Sequence, residues 1–307
     1  MSSPSQLISL TGLDGGNPLA FLAALGTFRT LAETEQHGSA TLSWTNAGNK
    51  WTPLLHIESE PSREQLVAFL HEHLRRMADH PVLSFSTNLR IPAKRFREMA
   101  GQAVNSALEG GSGVAQSFLA AFGCDAIRTD NGEIEDTALR TMSGAGHQHF
   151  LKFMNDLAKE TSEQDLAEAL FGPWRYQDPG PSLRFDPIDD RRYALRWKNP
   201  SQDPSTTVRG ANRLAVEGIP LFPTVPVHCR LETTGFTGHR SSNTFWAWPI
   251  WEDPISLDTC RSVLSLGALT AGNPDPQELR PRGIAAVLRS QRITVGKYRN
   301  FTPARTV

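Results

Sequence analysis

The sequence predicts an α+β protein that combines a ferredoxin-like N-terminal part with a β-rich, basic C-terminal part. The first reason is the N-terminal order of strand, helix, strand, strand, helix and strand, which is that of a ferredoxin-like unit. The second is a change beyond Gly172, where prolines become frequent and strand patterns dominate. We therefore expect two parts, residues 1–172 and residues 173–307, with a boundary near residues 172–182.

The N-terminal elements follow from capping, turn and periodicity signals. Asn17 is a favourable N-cap and Pro18 a favourable first helical residue, so a helix begins there after a glycine-rich turn. Ser62 and Gln65 form a capping box that starts a second helix. The expected strands of this part are Leu7–Leu10, Ala40–Thr45, Trp51–Glu58 and Val82–Ser86.

Helical spacing continues to about Phe171, and strand patterns follow it. The further expected helices are Pro92–Leu108, Val114–Phe122, His147–Lys159 and Ser256–Leu266. The expected strands of the second part are Val227–Thr233, Thr244–Trp251, which pair with each other, and two strands within Ile284–Tyr298. Trp246 and Trp248 share one strand face, which either packs against the Ser256–Leu266 helix or stacks on bases.

Composition places the chain among globular proteins. Its 307 residues are 39% hydrophobic and 21% charged, which permits real cores and excludes a disordered composition. The longest apolar run, Leu19–Leu25, is too short to span a bilayer, and the first residues lack a signal-peptide pattern. Cys124, Cys229 and Cys260 are odd in number and widely spaced, so we expect free thiols and a cytoplasmic protein.

Charge is distributed unevenly, although the net charge is only -1. From Arg175 onward the chain carries 18 Lys and Arg against 12 Asp and Glu, whereas the preceding residues carry 13 against 20. A basic second half suits a polyanionic partner, and an acidic first half suits a protein neighbour.

The densest group of cations lies between Leu183 and Gly218. An extended segment directs Arg192 and Arg196 to one side and Arg191 to the other, and Lys198 follows. A short helix then begins with Arg209, Asn212 and Arg213 near its start. These residue types suit phosphates and base edges, so we expect all seven to bind nucleic acid. The alternative is a surface strand whose arginines pair with neighbouring aspartates.

A second basic group lies in the C-terminal tail, after the last acidic residue, Glu278. Its expected nucleic-acid-binding residues are Arg289, Arg292, Lys297 and Arg299, and Arg305 adds to the charge. Aromatic residues lie among these cations, as in single-strand-binding surfaces. The alternative is a solvated edge strand protected by charge.

Sequence motifs for catalysis or cofactor binding are absent. There is no P-loop, nucleophile elbow, HExxH motif or CxxC pair, so we expect no catalytic residues, no cofactor and no metal site. The glycine-rich turn before Pro18 is read either as a tight turn or as a phosphate cradle. An alternative enzyme hypothesis is a metal-dependent nuclease or hydrolase that uses Asp186, Asp189 and Asp190, together with Glu217.

Two segments carry a family resemblance. GLDGGNPLAFLAALGTFRTLA resembles the opening of large-subunit-type proteins of type I CRISPR effector complexes, chiefly of the U/G subtype. RFDPIDDRRYALRW, followed by RGANRLAVEGIPLFPTVP, is similar to a downstream segment of proteins from the same loci. The matches are motif-like and cover part of the chain.

The resemblance implies a non-enzymatic subunit of an RNA-guided surveillance complex in antiviral defence. Its expected partners are guide RNA, target DNA, other CRISPR effector subunits and a separate helicase–nuclease, with no membrane. In such complexes guide pairing reads the target while protein contacts the backbone and a short flanking motif. A further alternative is an assembly protein without direct nucleic-acid contact.

Overall fold

The fold is described from a computed structural model over residues 6–34, 36–58, 61–142, 149–189, 206–238, 243–295 and 298–307. Within these ranges the chain mixes helices and strands, which confirms the predicted α+β class. The first part contains β1 (Gln6–Ser9), α1 (Pro18–Ala32), β2 (Thr41–Ala47), β3 (Lys50–Ile57), α2 (Arg63–Arg75), α3 (Pro81–Ser84), α4 (Ala93–Leu108), α5 (Val114–Phe122), β4 (Gly123–Arg128), β5 (Ile134–Asp136), α6 (Phe150–Glu160) and α7 (Glu163–Phe171). The second part contains α8 (Arg209–Gly218), β6 (Thr224–Val227), β7 (Arg230–Thr233), β8 (Phe236–Thr237), β9 (Thr244–Trp251), α9 (Leu257–Leu264), α10 (Pro276–Leu279), β10 (Ile284–Val295), β11 (Tyr298–Phe301) and β12 (Arg305–Thr306).

The N-terminal sheet reproduces most of a ferredoxin-like unit. Its strands are antiparallel in the order β1, β3, β2, with helices after β1 and after β3. The strand predicted at Val82–Ser86 is wrong, because this segment forms the short helix α3. Pro81 is its first residue, and the His80 side chain caps it by accepting the backbone N–H of Val82 at 3.2 Å. A proline and a cap at these positions favour a helix.

The C-terminal sheet is organised around β10. This strand pairs with β9 on one side and with β11 and β12 on the other, while β8 continues the sheet beyond β9. The two strands predicted within Ile284–Tyr298 are therefore one long strand that leads into β11.

The segment Val227–Thr233, predicted as one strand, contains the last residue of β6, a turn, and the whole of β7. β6 and β7 pair with each other and not with β9, with Val227 opposite Arg230. His228, in the turn between them, has a φ of 54°, a left-handed conformation that interrupts an extended strand.

The two predicted parts share one hydrophobic core. α1 is buried on all sides from Pro18 to Leu31, and α8 is buried from Gly210 to Gly218. Core residues of the N-terminal sheet, the helices and β9 form a single continuous cluster. Helices that are buried on nearly every side lie inside such a core and not on its surface.

Trp246 and Trp248 belong to this core. Both are fully buried, and their ring centroids lie 6.1 Å and 5.4 Å from that of Phe21 in α1. The packing interpretation is therefore confirmed over base stacking. The aromatic partners are Phe21 of α1 and, for Trp246, also Phe222, Phe236 and Phe301, instead of residues of the predicted Ser256–Leu266 helix. The indole N–H of Trp248 donates to the carbonyl of Gly15 at 2.9 Å, so the glycine-rich turn is a structural contact.

Two glycines allow α1 and α8 to approach closely. A Cβ on Gly26 would overlap the carbonyl oxygen of Leu214, and a Cβ on Gly218 would overlap the carbonyl oxygen of Leu22. Because the obstructing atoms are backbone atoms of the facing helix, neither clash can be relieved by a side-chain rotation.

We expect Gly26→Ala to lower the free energy of unfolding by about 3 kcal/mol, because the added methyl forces the two helices apart. Urea or thermal unfolding measures the change. The control is Gly101→Ala in α4, where a Cβ meets nothing within 4 Å. There the helix gains about 0.5–1 kcal/mol from the better helix former. Equal effects at both positions would contradict close packing at Gly26.

Candidate nucleic-acid interface

The arginines predicted in the C-terminal tail lie on both faces of β10. Successive side chains of a strand point to opposite faces. Arg289 shares its face with Val287, which belongs to a small second apolar cluster with Leu269 and Leu279. Arg292 lies on the other face and is only 3% exposed.

Arg289 and Arg305 form a like-charged pair across β10 and β12. They lie opposite each other in the ladder. The Arg289 guanidinium donates to the carbonyl of Gly272 at 2.9 Å and to that of Ala271, which fixes its position. Partial burial and then the charge of Arg305 lower the pKa of Arg289. Like charges directly opposite destabilise a sheet, and neither residue has a carboxylate partner within the described ranges.

A second group of arginines surrounds Asp136 on the opposite face. Arg140 Nη2 lies 2.6 Å from Asp136 Oδ2, and Arg292 Nη1 donates to the carbonyl of Ala138 at 2.6 Å. Arg299 Nη1 donates to the carbonyl of Arg140 at 3.1 Å. Burial, and then the charge of Arg299, lowers the pKa of Arg292 to about 10.

Two buried donors in this second group have no partner. The Nε atoms of Arg140 and Arg292 are buried without a hydrogen bond to any described residue. A buried charge lacking partners is unfavourable, and a buried donor without an acceptor costs about 1–3 kcal/mol.

The structure places Asn212 and Arg213 in the interior, which corrects their expected role as nucleic-acid contacts. Asn212 is fully buried, and its amide donates to Thr207 Oγ1 at 2.9 Å and to the carbonyl of Val208 at 3.0 Å. Its oxygen accepts the backbone N–H of Leu183 at 2.8 Å. The side chain therefore joins the start of α8 to the preceding loops.

Arg213 belongs to a buried ion cluster between helices. Its Nη2 lies 2.8 Å from Glu217 Oε1, and Arg29 Nη1 of α1 lies 3.2 Å from Glu217 Oε2. Arg213 also donates to the carbonyl of Leu74 at the end of α2. Burial alone raises the pKa of Glu217, but the charges of Arg213 and Arg29 outweigh it and lower that pKa.

Arg292 is corrected in a similar way, because at 3% exposure its side chain is not a surface contact for nucleic acid. Arg209 is partly exposed at the start of α8; its backbone N–H donates to Asp178 Oδ2 at 2.7 Å, and its Nη1 lies 3.8 Å from Asp165. The remaining predicted contacts lie outside the described residues: Arg191, Arg192, Arg196, Lys198 and Lys297.

The carboxylates of the nuclease hypothesis do not form one cluster among the described residues, and Asp189 accepts the hydroxyl of Ser182 at 2.6 Å. Asp186 is 2% exposed and accepts the hydroxyl of Tyr176 at 3.1 Å, whereas Glu217 belongs to the ion cluster between α1 and α8. Asp190 lies outside the described residues. Over the described ranges, no group of three or more His, Cys, Asp or Glu side chains is placed to hold a metal ion.

The sequence did not single out Asp136 and Arg140. They are four residues apart, a spacing that indicates an ion pair only within a helix. Here they flank the end of β5 instead, and their proximity to β10 depends on tertiary structure.

Comparisons of this chain with protein families, with curated proteins and with solved structures give no match. Among the helices that the structure describes, none has the length and apolar character needed to cross a bilayer. The interpretation of the site therefore depends on this chain alone.

We expect Glu217→Gln to lower the free energy of unfolding by about 3–5 kcal/mol at neutral pH, because two buried guanidinium groups lose their shared carboxylate. The lowered pKa means that ionised Glu217 stabilises the fold above its ordinary value of 4.5, and that this contribution is lost as the pH falls through the lower folded value. Denaturant unfolding at several pH values measures the effect.

The matched control is Glu72→Gln, which removes the carboxylate of an exposed ion pair with Arg76. It should change stability by less than about 1 kcal/mol. A Glu217 variant as stable as this control would contradict the proposed role of the buried cluster.

Proposed function

We propose that this chain is a non-enzymatic, cytoplasmic subunit of an RNA-guided type I CRISPR surveillance complex that contacts the backbone of target DNA or guide RNA. The family resemblance of the two sequence segments supports the assignment to such complexes. The contact surface is the C-terminal sheet, together with the arginine-rich segment Arg191–Lys198.

The observation that carries the proposal is the unbalanced positive charge where β12 pairs with β10. Arg289 and Arg305 lie opposite each other, and neither has a carboxylate partner among the described residues. Charge repulsion and desolvation of this kind are relieved when phosphate oxygens supply the missing acceptors.

Such contacts position a strand without reading its sequence. Guanidinium groups that bind phosphates fix the register of a duplex or heteroduplex, and base pairing with the guide supplies specificity. In this role the chain works beside other effector subunits, its contacts extend to the flanking recognition motif, and a separate helicase–nuclease cuts the target.

We expect the double variant Arg289→Ala and Arg305→Ala to bind short duplex DNA and guide RNA more weakly than the wild type. Each lost phosphate contact reduces the slope of log affinity against log salt by about one, so the slope should fall by about two. Fluorescence anisotropy over a salt series measures both the affinity and the slope.

The matched control is Arg76→Ala with Arg261→Ala, which removes two exposed arginines that pair with carboxylates. It has the same change in net charge and should keep the slope. An equal loss of affinity in both double variants would show that binding responds to net charge alone. Loss of subunit assembly with unchanged nucleic-acid affinity would favour the assembly-protein alternative.

A further inference from the structure

An open cleft lies beside the N-terminus of α1. None of its lining residues belongs to β10. Its volume is about 460 Å³, within the range of small-molecule sites. The turn Thr11–Asn17 forms one wall and the segment Phe171–Tyr176 forms the other, with Lys50 of β3 at the edge.

The two walls are held together by backbone contacts. The N–H of Gly12 donates to the carbonyl of Leu170 at 2.8 Å, and a Cβ on Gly12 would overlap the carbonyl oxygen of Ala169. The indole N–H of Trp174 donates to that same Ala169 carbonyl at 3.1 Å. The cleft is therefore preformed, which lowers the entropic cost of binding a ligand.

Tyr176 is held in an unfavourable backbone conformation at this wall. Its φ is 55°, which is uncommon for a residue other than glycine. Its hydroxyl donates to the buried carboxylate of Asp186 at 3.1 Å, and Asn17 Nδ2 donates to the other oxygen of that carboxylate at 3.1 Å. Residues kept in such conformations by surrounding bonds are concentrated at ligand sites.

The aromatic side chains leave ring surface available. Trp174 and Tyr176 meet edge to face, with centroids 6.0 Å apart and an interplanar angle of 75°. Both are only partly buried. In an edge-to-face pair each ring keeps at least one face that the other does not cover, so a planar ligand can stack against an aromatic face.

Two polar groups complete the lining. Lys50 Nζ donates to the carbonyl of Thr11 at 2.6 Å, which uses one of its three N–H groups. Asp14 Oδ1 accepts the backbone N–H groups of Gly16, at 2.9 Å, and of Trp51, at 3.2 Å. Asp14 Oδ2 has no hydrogen-bond donor among the described residues and remains an acceptor.

We infer that this cleft binds one unstacked nucleotide of a single-stranded nucleic acid. The base stacks on Trp174, next to Tyr176, a base amino group donates to Asp14, and the adjoining phosphate lies near Lys50. Ring stacking of this kind accepts any base, as in other single-strand sites. The inference deepens the proposed function and rests on it, because Asp186 ties the cleft wall to the chain that enters the arginine-rich segment.

The test compares Trp174→Ala with Trp174→Phe on labelled single-stranded DNA and RNA. Both variants lose the bond to the Ala169 carbonyl, but only phenylalanine keeps a stacking face. Trp174→Ala should weaken single-strand binding about tenfold, because the stacking contact is lost. The slope of log affinity against log salt should stay the same, because no phosphate contact is removed. Trp174→Phe should stay within about twofold of the wild type. Lys50→Gln should lower the salt slope by about one.

Different failures are distinguishable. Equal weakening by the alanine and phenylalanine variants would show that Trp174 acts through its structural bond, and would overturn the inference. Wild-type affinity in Trp174→Ala would overturn it as well, while leaving the proposed function intact. A wild-type chain that binds neither single strand nor duplex would overturn the proposed function and this inference together.

Discussion

The packing of α1 against α8 is the contact on which the remaining structure depends. Gly26 and Gly218 bring the two backbones together, and the helices lie far apart in the sequence. Phe21 of α1 packs at the same time on the tryptophans of β2 and β9. One helix thus orders both sheets, and the two sequence regions fold around a common core.

The same contact decides which cations remain available to a partner. Arg29 and Arg213 share the carboxylate of Glu217 in the interior, and loss of that carboxylate would leave Arg213 buried without an ion-pair partner, whereas Arg29 also pairs with Glu33. Arg213 of α8 therefore stabilises the fold. The cations of β10 and β12 are placed differently, since Arg289 is held by carbonyl groups and faces Arg305 instead of a carboxylate.

Local signals in the sequence predicted the elements that depend on local physics. Asn17 caps α1 and Ser62 starts α2 with a capping box, because both bonds join residues two or three positions apart. The strand predicted at Val82–Ser86 was wrong for a local reason too, because Pro81 starts a helix and outweighs the β-forming residues after it. These cases show that capping chemistry was more informative than strand propensity here.

Local signals did not predict whether a charged side chain is buried or exposed. Arg213 looks like a surface cation in RGANRLAVEG, yet its surroundings are set by Arg29 and by Leu74, both distant along the chain. Likewise, the cleft beside α1 forms only because Gly12 lies against Leu170. Side-chain partners at such separations follow from the fold, and a single sequence records none of them.

Photocrosslinking tests most directly which surfaces meet nucleic acid. A single strand carrying a photoreactive pyrimidine is bound to the full chain, irradiated, and the modified peptides are mapped by mass spectrometry. The account predicts adducts in β10, β12 and Phe171–Tyr176, since these segments carry the exposed guanidinium groups and the aromatic cleft. Adducts on Asn212 or Arg213, which the packing of α1 on α8 buries, would contradict it.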